Sequence, residues 1–288
     1  MKNLSAKILL SILLFNSTIL FSQIQNRASA NFTLKVKLIE EFFERFNFEQ
    51  DSYIMEIIKE KGLETTHESM LISLFNQHQD WDTLLINQFI RDIIIHPTAS
   101  YIEFADDDWY AEVNSTFLLQ DKPVKIDLLL RYFSNQNTGS KWILTGAKSS
   151  KVFNDEPKKE PGENVIPDTI SINELIELDG SFIRPGSHSI NFIDFNRVFK
   201  PGNVWGNMTT ENTPIDRLSY MFALIDYKIL EFVQNNKISF HFFQIENWIF
   251  KVEYFNRDET NSGWLISDLI QVDIEEKEIY KRYLIYGN

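Results

Sequence analysis

The stretch "YFSNQNTGSKWIL", Tyr132 to Leu144, is answered 122 residues later by "YFNRDETNSGWLI", Tyr254 to Ile266. Aligned at that shift, Leu130–Thr145 and Val252–Ser267 run without a gap. Tyr132/Tyr254, Phe133/Phe255, Thr138/Thr260, Ser140/Ser262 and Trp142/Trp264 are identical. Leu130/Val252, Ile143/Leu265, Leu144/Ile266 and Thr145/Ser267 keep their character. Recurring aromatic pairs are not rare in a chain with 24 Phe and 10 Tyr, but two of only 6 Trp in one register are harder to dismiss. A shorter echo, "SLFNQ" (Ser73–Gln77) against "IDFNR" (Ile193–Arg197), falls at a shift of 120. Self-similarity at a fixed period reads as a repeated structural unit. Two copies of one domain are therefore expected.

Outward from the repeat, each copy reads as helices followed by strands. In the first, "TLKVKLIEEFFERFNF" (Thr33–Phe48) sets Leu38, Ile39, Phe42, Phe43 and Phe46 on one face, the spacing of an amphipathic helix. A second helix is expected from Asp51 to Gly62, and a third opens at Thr65 with Glu68 completing a capping box. "DTLLINQFIRDI" gives a fourth, ahead of Pro97. Then "SYIEFA", "WYAEVNSTFLL", "VKIDLLLRYF" and "KWILTGA" alternate like strands, separated by turn-forming stretches. In the second copy a helix starts at "TPID", with Thr213 as cap and Pro214 in its first turn. "KISFHFFQI", "NWIFKVEYF" and "GWLISDLIQV" follow as strands. The terminal "EEKEIYKRYLIY" fits either a short helix or a trailing strand. Between the copies, "NDEPKKEPGENVIPD" holds three prolines and dense charge, the composition of an exposed linker.

The fold class is thus α+β, in two tandem related domains, each with N-terminal helices packed on a curved antiparallel sheet. The expected division is a signal peptide over 1–23, a first domain over 24–153, a linker over 154–168 and a second domain over 169–288. The final third of each copy, Val124–Lys148 and Lys237–Val272, resembles the nuclear transport factor two-like superfamily, a cone-shaped α+β fold. That resemblance implies a curled sheet around a cone. The superfamily includes isomerases, cyclases and non-enzymatic domains, so it selects no activity.

The start, "MKNLSAKILLSILLFNSTILFSQ", pairs Lys2 and Lys7 with an apolar run to Phe21, and no acid precedes Glu40. This is the layout of a secretory signal, and a periplasmic or extracellular destination is expected. With Ser11, Asn16, Ser17 and Thr18 inside it, the run falls short of the roughly 20 apolar residues that a membrane span needs. There is no cysteine, so neither a disulfide nor a lipidated cysteine is available. Loss of residues 1–23 removes two lysines and no acid, taking the net charge from −13 to −15. Such a surface repels phosphate backbones, which argues against nucleic acid as a partner.

Chemistry is harder to find. On one face of the repeated strand stand Ile126, Leu128, Leu130 and Tyr132, matched by Trp248, Phe250, Val252 and Tyr254. The other face carries Asp127, Leu129, Arg131 and Phe133, matched by Ile249, Lys251, Glu253 and Phe255, and its charges are expected to meet water or a partner. No acid points inward, where a general base of the resembled superfamily would stand. "DDDW" (Asp106–Trp109) lacks the alternating ligand spacing of a calcium loop and reads as a turn. Asp226 sits near the polar side of its helix. His67, His78, His96, His188 and His241 form no metal set and are expected in surface or capping roles. No cofactor motif occurs. Aromatic contact is the remaining resource, and Trp109 and Trp205 are the candidate ligand-binding residues. The reading is a non-catalytic binding or scaffold protein, for an unknown protein or for a small hydrophobic or saccharide ligand. A small-substrate enzyme using one cone and an acidic partner of a basic protein stay open.

Overall fold

The sheet has six strands in the order β3-β2-β1-β4-β5-β6, all antiparallel and open at both ends. They are β1 (Trp109–Leu119), β2 (Lys122–Asn135), β3 (Gly139–Lys148), β4 (Leu230–Phe242), β5 (Trp248–Phe255) and β6 (Gly263–Gln271). This is a computed structural model, and it describes residues 35–62, 64–95, 100–135, 139–153, 182–209, 215–258 and 261–286. The signal peptide over 1–23, the linker over 154–168, the Thr213–Pro214 cap and His96 lie outside the described residues.

The strand order explains the repeat. Each half supplies a three-strand meander, and the 122-residue shift carries β2 onto β5 and β3 onto β6. The meanders meet along their first strands, β1 pairing with β4 from Trp109↔Phe242 to Leu119↔Leu230. The register slips after Asn114 and again after Thr116, so β4 carries two bulges in this seam. The chain divides into two compact units that cut across the boundaries expected from the repeat. One gathers the residues up to Asp82 with Tyr254–Ile266, and the other holds Thr83–Glu253 with Ser267–Asn288.

The first unit contains helices α1 (Ile39–Phe46), α2 (Tyr53–Glu60) and α3 (His67–Ser73). The sequence places them correctly and misses one cap. Thr66 rather than Thr65 caps α3, and its boxed partner is Ser69 rather than Glu68. The shift costs nothing, because a serine hydroxyl in the third helical position reaches the cap backbone as a glutamate would. Val36 and Phe75 each bridge in parallel to the start of β6, at Gly263 and Ile266. Asn261 ties this arrangement with its side chain, accepting from Gln77 N and donating to Phe75 O.

In the second unit, α4 (Thr83–Ile95) buries Phe89, Ile90 and Ile93. Phe89 meets Trp248 and Phe250 edge-on, and Asp92 accepts from Trp248 Nε1 at 3.1 Å. Two short 3-10 turns (Pro185–Ile190, Trp205–Met208), α5 (Phe195–Val198) and α6 (Ile215–Asp226) precede β4. The expected strand over Ser100–Ala105 is not formed. Ile102 and Phe104 instead turn into the core, and Phe104 packs on Trp109 and Tyr132. The terminal segment is helical, α7 (Ile274–Tyr286), and it covers the sheet face that the sequence reading had left to water. Tyr110, Leu129, Phe243, Ile249 and Leu284 form one buried cluster there. Gly146 lets α7 come close to β3, since a Cβ at that position would sit 2.6 Å from Ile285 O. No helix among the described residues is long and apolar enough to cross a membrane.

Candidate functional site

The inner face of the sheet is filled by large aromatic side chains. Trp109, Trp142, Trp248, Phe117, Phe240 and Phe242 are all fully buried there. Trp109 lies flat on Phe242, meets Trp142 edge-on at 5.2 Å, and donates Nε1 to Phe104 O. It is a core residue, and its ring has no surface left for a ligand. The alternation of β1 puts it on the inner face, so this candidate ligand-binding residue is part of the core.

Trp205 is half-buried. Its ring stacks on Phe222 at 4.3 Å and 7°, and Nε1 donates to Asp226 Oδ2 at 2.8 Å. Asp226 also accepts from Gly202 N, so this acid fastens a loop to a helix end. The histidines likewise serve structure. His67 bonds Phe46 O and stacks on Phe48. His188 is buried beside Trp142, with Nδ1 2.8 Å from Pro185 O. His241 is the departure from expectation, being 3 % exposed rather than outward in water. Among the described residues no group of histidines and acids could hold a metal ion.

Polar chemistry gathers on the outer face. Register places Tyr110, Glu112, Asn114 and Thr116 of β1 opposite Arg131, Leu129, Asp127 and Lys125 of β2. Ser239 and His241 of β4 lie on the other side, and Glu253 and Lys251 of β5 continue the row. Glu112 is the centre of one cluster. Its Oε1 is 2.6 Å from Lys148 Nζ, and its Oε2 is 3.2 Å from His241 Nε2. A carboxylate only accepts, so Nε2 carries the proton, and in the neutral ring Nδ1 receives the Tyr280 hydroxyl at 3.4 Å. Glu253 is neutralised similarly by Lys237 and Lys251, with Ser239 donating to it. The sequence reading counted Glu253 as a solvated charge, yet it is buried.

These environments fix the charge states. Burial opposes ionisation of Glu112, but the His241 bond and charge and the Lys148 ammonium outweigh it and hold the carboxyl at about 2, against an ordinary 4.5. Burial, aided by Asp268 and Glu112, pushes the Tyr280 phenol up to about 12. A carboxyl whose folded pKa lies below its unfolded value stabilises the fold fully above about pH 4.5, and that contribution disappears as pH falls toward 2. Glu112→Gln is expected to remove up to about 3 kcal/mol of this acid dependence. Urea unfolding at a series of pH values reads it, and a mutant curve parallel to wild type between pH 4.5 and 2 would refute the assignment.

Beside this cluster the outer face opens into a groove of about 420 Å³. It is lined by Thr116, Pro123, Val124, Lys125, Asp127, Lys148 and the turn Ser149–Lys151. The polar walls are held in place by cross-strand bonds. Lys125 Nζ donates to Thr116 Oγ1, Asn114 Nδ2 to Asp127 Oδ1, and Ser149 Oγ to Lys125 O. Asn236, in one of the β4 bulges, completes the lattice by bonding Asn114 and Thr116. No histidine lines the groove, and the Ser149 hydroxyl is committed to a carbonyl. The arrangement is suited to holding a polar molecule. Nothing in the sequence announced it, because its residues come from β1, β2 and the turn after β3 without any local motif. Against this geometry no family model, no curated protein and no solved structure matches the chain.

Proposed function

We propose that the protein is an exported, non-catalytic binding protein that takes its ligand on the outer face of the sheet. One observation carries the reading. The inner face, where an enzyme of the resembled superfamily keeps its pocket, is packed solid with buried tryptophan and phenylalanine. The open groove is on the other face, and it is walled by ammonium, hydroxyl and carboxylate groups. Export is supported by the basic and apolar start of the sequence. A duplicated ancestral unit is supported by the shift that carries Tyr132 onto Tyr254 and Trp142 onto Trp264 along matching strands.

Amide chemical-shift mapping against a panel of saccharides, peptides and apolar small molecules tests the reading. Shifts that saturate and cluster at Thr116, Lys125, Asp127 and Ser150 are expected. Clustering around Trp109 and Trp142, or turnover of any panel member, would defeat it.

A further inference from the structure

The groove lies in a protein of net charge −13, yet three lysines and one acid wall it. The next acid, Glu112, is already balanced by Lys148 and His241. An acidic protein repels anions over most of its surface, so a locally basic hollow concentrates them at one place. We propose that the groove binds a saccharide bearing an oxyanion, a uronate carboxylate or a sulfate ester. This rests on the binding reading given above and names its ligand class.

Four features point to a sugar acid. Lys151 is exposed and makes no ion pair or hydrogen bond among the described residues, so its ammonium is available to an incoming oxyanion. Lys148 spends its contact with Glu112 on one oxygen and keeps further N–H donors for a ligand. Asp127 receives Asn114 on Oδ1, and its Oδ2 has no protein donor among the described residues. That oxygen accepts a hydroxyl, as sugar recognition requires, and it repels a polyanion lacking hydroxyls. Finally, Tyr283 of α7 is 56 % exposed, with Lys148 Nζ 6.0 Å from its ring centroid. Tyr283 does not line the groove itself, but a pyranose ring that reaches past Lys148 would meet this aromatic ring with its C–H face.

An acidic peptide fits less well. The groove sits over β1 and β2, whose main-chain groups are paired on both sides, so neither of these strands offers a backbone edge to an extended chain. Lys125 and Asn114 are already fastened by hydrogen bonds, so ordering them adds little cost to binding a small rigid ring.

The test is calorimetric titration at low salt with trigalacturonate, its fully methyl-esterified form, a chondroitin 4-sulfate tetrasaccharide and hexaglutamate. The expected result is binding of trigalacturonate or the sulfated sugar, whichever oxyanion is recognised, with both the ester and hexaglutamate at least tenfold weaker. Lys151→Ala is expected to weaken the anionic sugar about tenfold, the loss of one ion pair, while Tm stays within about 1 °C of wild type. Tyr283→Phe should bind normally and Tyr283→Ala several-fold more weakly. Binding of neither acidic sugar, or equal binding of ester or hexaglutamate, overturns the proposal. If the ester binds as tightly and shifts Thr116 and Ser150, the oxyanion assignment alone fails. If no saccharide shifts those residues, the groove reading fails with it.

Discussion

Gly263→Ala is expected to be among the most damaging single substitutions in this chain, with a loss of roughly 3–5 kcal/mol. Gly263 has φ +95°, and a Cβ there would lie 1.9 Å from Val36 O and 2.5 Å from Val36 C. Those atoms are main chain and cannot swing aside. Relief requires the Val36 bridge to part from β6, breaking Val36 N to Ser262 O and Trp264 N to Val36 O. Backbone strain of about 1–3 kcal/mol and roughly 1 kcal/mol per lost bond make up the total. Gly206→Ala is the control, since nothing lies within 4 Å of its added Cβ. Urea midpoints of the two variants measure the contrast. A Gly263→Ala protein as stable as the control would show that Val36 does not dock on β6.

Trp109→Ala is expected to cost about 3–5 kcal/mol and to lower the near-ultraviolet circular dichroism broadly. The ring is fully buried between Phe104, Trp142 and Phe242, and its Nε1 is bonded, so truncation leaves a cavity and removes a hydrogen bond. The same experiment separates a core tryptophan from a ligand platform. Trp205→Ala removes one stacking partner and one exposed hydrogen bond, and about 1 kcal/mol is its expected cost. Thermal melts of both variants provide the measurement. Should Trp109→Ala melt within a few degrees of wild type, the packed inner face would be wrong.

The fold was legible where period and turn chemistry agree. The 109–119 strand was read residue for residue, but eight of the ten boundaries of the other five strands were off by one to several positions, because pairing partners set the ends. The outer face was illegible for a single reason. Its burial depends on α7, whose sequence interleaves Glu276, Lys277, Lys281 and Arg282 with Ile279, Tyr280 and Leu284 and has no clear apolar stripe. Lysine stems cover apolar surface while their ammonium groups reach Phe243 O, Ile245 O and Asp108. Without that cover, the face that carries Leu129, Ile249 and Glu253 reads as one whose charges meet water or a partner, and His241 reads as pointing outward. The candidate groove was equally hidden, since only the cross-strand register assembles Thr116, Lys125, Asp127 and Lys148.

The seam between β1 and β4 has a kinetic consequence. A ribosome finishes β1, β2 and β3 by Lys148, but the partner for the open side of β1 begins only at Leu230. Until then that strand offers a bare row of donors and acceptors to whatever is nearby, including its twin on a neighbouring nascent chain. The half-made molecule is therefore stickier than either the unfolded or the finished one, and the long wait for a distant partner makes its assembly slow.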